Sequence, residues 1–464
     1  MNPYEYAEAH REEFLGQLKD FLSIPSISTL ERHAVDIQRA AHWVAEQLDA
    51  IGMTSILIGN TKKHPIVTGS WTGAPADAPT VLVYGHYDVQ PVDPLHLWVS
   101  DPFTPTIRNG NLYARGASDD KGQVFTHIKA IETLMKANGG SLPFNVKFLV
   151  EGEEEIGSEN LDNFILTHKD QLRADVCVIS DSHNLALDRP VIIYGLRGLL
   201  YMELEVSGPS LDLHSGTYGG TVHNPLQALC EIIAKLHNDD GSVNVKGFYD
   251  NVPAISKEER KALNAIAYTE EEWRAETGAP QSWGEKAFTL RERTGARPTL
   301  EVHGLFGGFM GEGSKTVIPT KGTAKISCRL VAEQDPYEIE TLVRAQIAAI
   351  APPTIRWELR ALSYGWGSVV PIDSPAMQAA IDAYERGYGA RPQFLREGGS
   401  IPVVATLRKI YGIPVLLMGF GLPDDGAHSP NEKFNLEGFY RGITTLIALY
   451  EKLGSMKANE LNKR

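Results

Sequence analysis

Two histidines and a set of aspartates and glutamates stand where apolar runs of this chain end. Residues 81–84 (Val-Leu-Val-Tyr) lead into Gly85-His86-Tyr87-Asp88, and residues 145–150 lead into Glu151-Gly152-Glu153-Glu154-Glu155. Residues 176–180 lead into Asp181, and residues 414–418 into a glycine-rich loop ending at His428. Asp119 and Asp120 follow the turn 115–118 and precede a helical pattern. Imidazole nitrogens and carboxylate oxygens without thiolates suit divalent cations such as Zn, Mn or Co. Two cations held by such a set describe a hydrolase that activates water and polarises a carbonyl. One carboxylate must stay off the metals to take a proton, and adjacent glutamates can divide those duties.

The elements that position these residues are strands. Continuous apolar runs alternating with amphipathic helices imply a parallel sheet covered on both faces. Ligands bind beyond the carboxyl ends of such strands. Helices are expected over 8–22, 37–51, 122–136, 375–388 and 437–453, and the tail from Lys457 reads as frayed. The middle of the chain follows another order. Strands near 199–206, 299–303, 322–331 and 354–359, with helices at 224–236 and 336–349, give the β-α-β-β-α-β order of a ferredoxin-like sandwich. A polar insertion, about 239–297, separates its first helix from its second strand, with a helix expected over 257–267. For His428 to meet His86, the last α/β piece must rejoin the first. The fold class is therefore α/β: a catalytic domain of 1–195 and 370–464 with a mainly parallel sheet, and an inserted α+β lid, 196–369.

The chain has 464 residues, enough for two or three domains, and 42% of them are hydrophobic, ample for packed cores. A net charge of −14 argues against nucleic acid and against an anionic membrane surface. No apolar run approaches the ~18 residues of a membrane span, and the polar N-terminus lacks a signal-peptide pattern. Three widely separated cysteines fit a reduced, cytoplasmic setting rather than a disulfide framework.

Each residue also has an ordinary explanation. His86 and Asp88, at i and i+2 of an extended segment, project to one side, so Asp88 can orient the ring; a turn capped by Asp is the alternative. Asp119 or Asp120 can cap a helix. The glutamate run can be a solvated acidic turn, although clustered like charges favour neutralising cations. Asp181 and His428 alone carry little weight. Their joint occurrence at strand ends makes the case.

Four segments resemble a known family in order and type: GHYDVQP (85–91), GASDDKG (116–122), EGEEEIGS (151–158) and GAHSPNE (426–432). The chain is similar to the co-catalytic metallopeptidases that include carnosinase, aminoacylase, carboxypeptidase G and succinyl-diaminopimelate desuccinylase. The resemblance covers essentially the whole chain and is nearest the cytosolic dipeptidase and carnosinase branch, whose DLHSG, TVIP, CRLV-like and REGGS segments stand at 212–216, 316–319, 328–331 and 396–400. It implies two divalent ions, Zn foremost, with Mn or Co as alternatives. His86 and Asp181 would bind one, Glu154 and His428 the other, and Asp119 would bridge them. Glu153 would be the general base and Asp88 would orient His86. The peptide bond after the bridging aspartate is often cis in this family.

The resemblance also implies a homodimer through the lid, with His214 reaching across to stabilise an oxyanion and Thr316 supplied by the partner lid. Arg329 suits a substrate's C-terminal carboxylate, or a surface ion pair. Gly399 and Ser400 can add donors, and Glu397 can face the amino group. The expected function is metal-dependent hydrolysis of the amide bond of a dipeptide. An N-acyl- or N-carbamoyl-amino-acid amidohydrolase with the same centre is the alternative, and a non-enzymatic metal-binding scaffold is the third.

Overall fold

The computed structural model describes residues 2–399 and 401–461. The chain forms two compact units, one of Met1–Tyr194, Val370–Phe394 and Thr406–Arg464, the other of Gly195–Val369 and Leu395–Ala405.

The first unit is built on strands β1 (Ser55–Gly59), β2 (Ile66–Trp71), β3 (Thr80–His86), β4 (Asn145–Glu151), β5 (Val176–Ile179), β6 (Val191–Leu196) and β7 (Val415–Leu417). Their order in the sheet is β1-β2-β4-β3-β5-β7-β6. The central four, β4-β3-β5-β7, run parallel. Their apolar residues are buried: Val81 to Tyr84, Val176 to Ile179 and Val415 to Leu417 are nearly inaccessible. That is why these strands read as continuous apolar runs rather than alternating ones. The edges differ from a mainly parallel sheet. β1 and β2 pair antiparallel, β2 is antiparallel to β4, and β6 is antiparallel to β7. The sheet is mixed, with a parallel centre.

After β3 the chain passes to β4 on one side of β3, then crosses to β5 on the other. This reversal opens a crevice at the carboxyl ends of β3 and its neighbours, where ligands bind in open α/β sheets. The crossover from β3 to β4 is the helix Lys121–Ala137, buried along most of its length. It packs against the C-terminal helix Leu436–Gly454. The helix expected over 8–22 is two helices, Pro3–Ala9 and Arg11–Leu22, which meet at His10. No helix among the described residues is long and apolar enough to cross a membrane.

The second unit carries four antiparallel strands in the order Thr299–Gly307, Lys321–Leu330, Gly198–Ser207, Arg356–Gly365. Gly198–Ser207 alternates buried and half-buried residues. Its buried side chains Leu200, Met202, Leu204 and Val206 share a core with Leu229 and Ile232 of the helix Pro225–Ala234 and Val343 and Ile347 of Pro336–Ile350. Chain order β-α-β-β-α-β with this strand order is a ferredoxin-like sandwich. The insertion holds the helices Lys257–Ala265, Glu270–Thr277 and Leu290–Gly295. Segment Leu395–Ala405, placed with the first domain on sequence, groups with the second unit. Arg396 is ion-paired to Glu259 of the insertion, and Arg197 donates to the Gly398 carbonyl.

Candidate metal centre

Side chains from position 86 to position 428 converge in the first unit. Ligand atoms of His86, Asp119 and Asp181 lie within 4.8 Å of one another, and so do those of Asp119, Glu155 and His428. The two groups share Asp119. His86 closes β3, and Asp181 follows β5 after Ser180, so both are fixed by the parallel centre of the sheet. Gly85 is required beside them: a Cβ there would come within 2.7 Å of Asp120 Oδ2 and 2.6 Å of Val124 Cγ2. The Asp119–Asp120 peptide bond is cis.

Asp119 lies between the two imidazoles. Its Oδ1 is 3.2 Å from His86 Nε2, and its Oδ2 is 2.9 Å from His428 Nε2. His86 Nε2 is buried without an aligned hydrogen bond, as suits a nitrogen lone pair aimed at a cation. The other ring nitrogen, Nδ1, lies 3.1 Å from the Asp88 carbonyl oxygen and 3.5 Å from its carboxylate. The Asp88 carboxylate instead accepts the backbone N–H groups of Glu154 and Glu155. Asp88 therefore touches both the first histidine and the glutamate turn.

The glutamate run departs from expectation by one residue. Glu155, not Glu154, stands with Asp119 and His428, its Oε2 being 3.2 Å from His428 Nε2. Glu153, expected as the base, is buried and occupied. It accepts from the Thr61 hydroxyl at 2.5 Å, His64 N at 2.9 Å, and Asn160 N and Nδ2 at 3.3 and 2.7 Å. The reason is local: after Glu153 the chain enters a tight turn, Glu154–Ile156, closed by left-handed Gly157. Glu153 stands at the start of that turn, with its carboxylate held by the loop 61–64 and by Asn160. Glu154, left with no ligand partner in either group, sits among His86, Asp181, Glu155 and Asp88.

The electrostatics ask for cations. Burial drives the Glu154 carboxyl well above its ordinary range, and Asp181, Glu155 and Asp88 add to this against the opposing pull of His86. Burial and the Asp119 charge push Asp181 up to about 7. Asp119 is held low against burial by its contacts with His428 and His86, and His428 is lifted to about 10 by Asp119 and Glu155. Several carboxylates and two imidazoles at van der Waals range fit two divalent cations, which would neutralise the repulsion.

Two carboxylates escaped sequence reasoning. Fully buried Glu432 accepts from Arg115 Nη1 at 2.7 Å and from the backbone N–H groups of Gly116, Ser118 and Asp119. Asp425 accepts from the Ser118 hydroxyl and pairs with Lys433. Glu432 lies inside GAHSPNE, so its motif was visible although its role was not.

The remaining expected residues lie in the second unit. His214 is exposed, and its Nδ1 accepts from Gly216 N at 3.0 Å. It pairs with Val317 in a two-stranded ladder, next to exposed Thr316. Arg329, on Lys321–Leu330, is half-buried and near Arg197, and burial lowers both guanidinium pKa values. Glu397 ends the strand Gln393–Glu397, Gly399 follows it, and Ser400 lies outside the described residues.

The family model described as Peptidase family M20/M25/M40 matches residues 82–452. A curated relative, the Cys-Gly metallodipeptidase dug1 of Schizosaccharomyces pombe, is 36% identical, with 98% of each chain covered. The human Beta-Ala-His dipeptidase is 30% identical over 98% of this chain and 92% of its own. Among solved structures, the M20 family metallo-carboxypeptidase Sso-CP2 of Sulfolobus solfataricus superposes with a TM-score of 0.86 at 33% identity, covering 96% of this chain and all of that one. The chain belongs to the peptidase family M20/M25/M40.

Proposed function

We propose that this protein is a metallodipeptidase: it hydrolyses the amide bond of dipeptides with two divalent metal ions. The observation that carries this reading is the pair of ligand groups sharing Asp119 at the carboxyl ends of the parallel strands, in a chain similar over its full length to dipeptidases. In this reading His86 and Asp181 would hold one ion, Glu155 and His428 the other, and Asp119 would be shared by the two groups. The cations supply Lewis acidity, which polarises a scissile carbonyl and lowers the pKa of water.

The residues of the chain supply the rest. Glu154 takes the proton of the attacking water on its carboxylate and returns it to the leaving amine; it is a buried carboxylate beside His86, Asp181 and Glu155 that belongs to neither ligand group. Asp88 holds His86 and the Glu154–Glu155 amides in place. Glu153 fastens the turn from behind through Thr61, His64 and Asn160. On the same reading Arg329 receives the substrate carboxylate, with Gly399 and Ser400 as further donors and Glu397 facing the amino group. A homodimer through the second unit brings His214 and Thr316 of one copy to the centre of the other. Nitrogen and oxygen ligands without thiolates suit Zn, Mn or Co, and Zn is placed first on the family resemblance. Free, separated Cys177, Cys230 and Cys328 fit a reduced cytoplasmic setting.

The test is a hydrolysis panel of free dipeptides, N-acetyl and N-carbamoyl amino acids on chelator-treated protein reloaded with Zn, Mn or Co. Dipeptides are expected to be cleaved only after reloading. Cleavage confined to the N-acylated compounds would replace this reading with an amidohydrolase.

A further inference from the structure

The second ligand group depends on an exposed histidine. The His428 side chain is 57% exposed and its backbone is left-handed, φ 61°. Strand ends position His86 and Asp181, but His428 sits on a loop. That loop is closed and clamped. Lys433 N donates to the Asp425 carbonyl, and Lys433 Nζ pairs with the Asp425 carboxylate at 3.0 Å, tying the two ends of 425–433 together. The closed loop then grips the turn 115–119 at three levels. Ala114 N donates to the Glu432 carbonyl, Ser118 Oγ donates to Asp425, and the Glu432 carboxylate collects Arg115 and three backbone amides.

The last of those amides belongs to Asp119 and is 3.1 Å from Glu432 Oε1. One loop thus carries a candidate ligand, His428, and, four residues later, the carboxylate that holds the backbone of the bridging residue. Arg115 also donates to the Pro91 carbonyl and so anchors the assembly to the segment after β3. A fully buried carboxylate is costly unless richly hydrogen-bonded. Here its bonds go to the one turn that places Asp119.

Resting on the two-cation reading above, we infer that Glu432 is a positioning residue that sets the spacing of His428 and Asp119 and thereby the affinity of the second cation site. The first group keeps two ligands on strand ends. The second draws two of its three, Asp119 and His428, from the clamped segments, so loss of the clamp falls mainly on it. Glu432→Gln preserves shape but turns an N–H₂ group towards donors and removes the charge opposite Arg115.

The experiment titrates chelator-treated full-length protein and E432Q with Co²⁺, followed by d–d absorption, and with Zn²⁺ by calorimetry. Native protein is expected to bind two ions. In E432Q one of the two is expected to weaken by about 10–100-fold, the usual effect of losing an outer partner of a metal ligand, and the other by less than about threefold. Unchanged affinities, or both falling together, would overturn the role of Glu432. Should E432Q fail to fold, Ser118→Ala removes only the Asp425 contact; the same site should weaken, by about 3–10-fold, and no change would overturn the clamp. Native protein that binds fewer than two ions would instead refute the two-cation reading itself.

Discussion

Replacing Glu153 and Glu154 separately by glutamine separates a structural carboxylate from a catalytic one. Glu153 accepts four hydrogen bonds, two on each oxygen. An amide at that position turns one oxygen into an N–H₂ group facing either Asn160 or the Thr61–His64 pair. Two bonds to a charged acceptor are lost, each worth about 1.5–3 kcal/mol, so E153Q should cost about 3–6 kcal/mol. The melting temperature should fall by roughly 5–10 °C. Turnover of the folded, metal-loaded fraction should stay within about tenfold of native. E154Q removes the proton acceptor, and kcat should fall by about 10²–10⁴. Its melting temperature should not fall, because a neutral amide relieves the repulsion from Asp181, Glu155 and Asp88. The assay is kcat for a free dipeptide, normalised to bound metal, beside thermal unfolding of each variant. The assignment fails if E153Q is as inactive as E154Q while folded and loaded, or if E154Q keeps a tenth or more of native turnover.

Two further outcomes follow from named contacts. Buried His127, bonded to Tyr450 and Ser180, is lowered by burial to about 3, against about 6.5 unfolded. Between those values the unfolded chain binds a proton that the folded one does not, so stability falls as pH drops below about 6.5. From pH 7 to 5 this costs about 2 kcal/mol. Urea titrations should show His127→Gln losing about that much less than native protein over the same interval, and equal losses would contradict the burial argument. Asp88→Asn places an N–H₂ group against the Glu154 or Glu155 amide. Calorimetric Zn²⁺ titration should show affinity reduced about 10–100-fold, and unchanged affinity would remove Asp88 from the centre.

The strand ends were legible because burial on both faces leaves a continuous apolar run, which stops where the chain reaches the crevice: at His86, after Val150, and at Asp181. The register of the glutamate run was not. Three consecutive glutamates are chemically alike, and which one faces His428 is decided by the turn that Gly157 closes. Glu432 was hidden for a different reason. Most of its partners are backbone amides, which every sequence possesses, and only folding aims three of them at one carboxylate. The second unit's claim on Leu395–Ala405 rests on Arg396 and Arg197 contacts across long sequence separations, to which local pattern is blind. The antiparallel flanks of the sheet were missed because strand direction is set by connections, not by the composition of β1, β2 or β6.

Anomalous diffraction from crystals of Zn-loaded protein tests the centre most directly. Two peaks should appear, one contacting His86 and Asp181, the other Glu155 and His428, with Asp119 touching both. A single peak, or a second peak held by Glu154 in place of Glu155, would contradict the account.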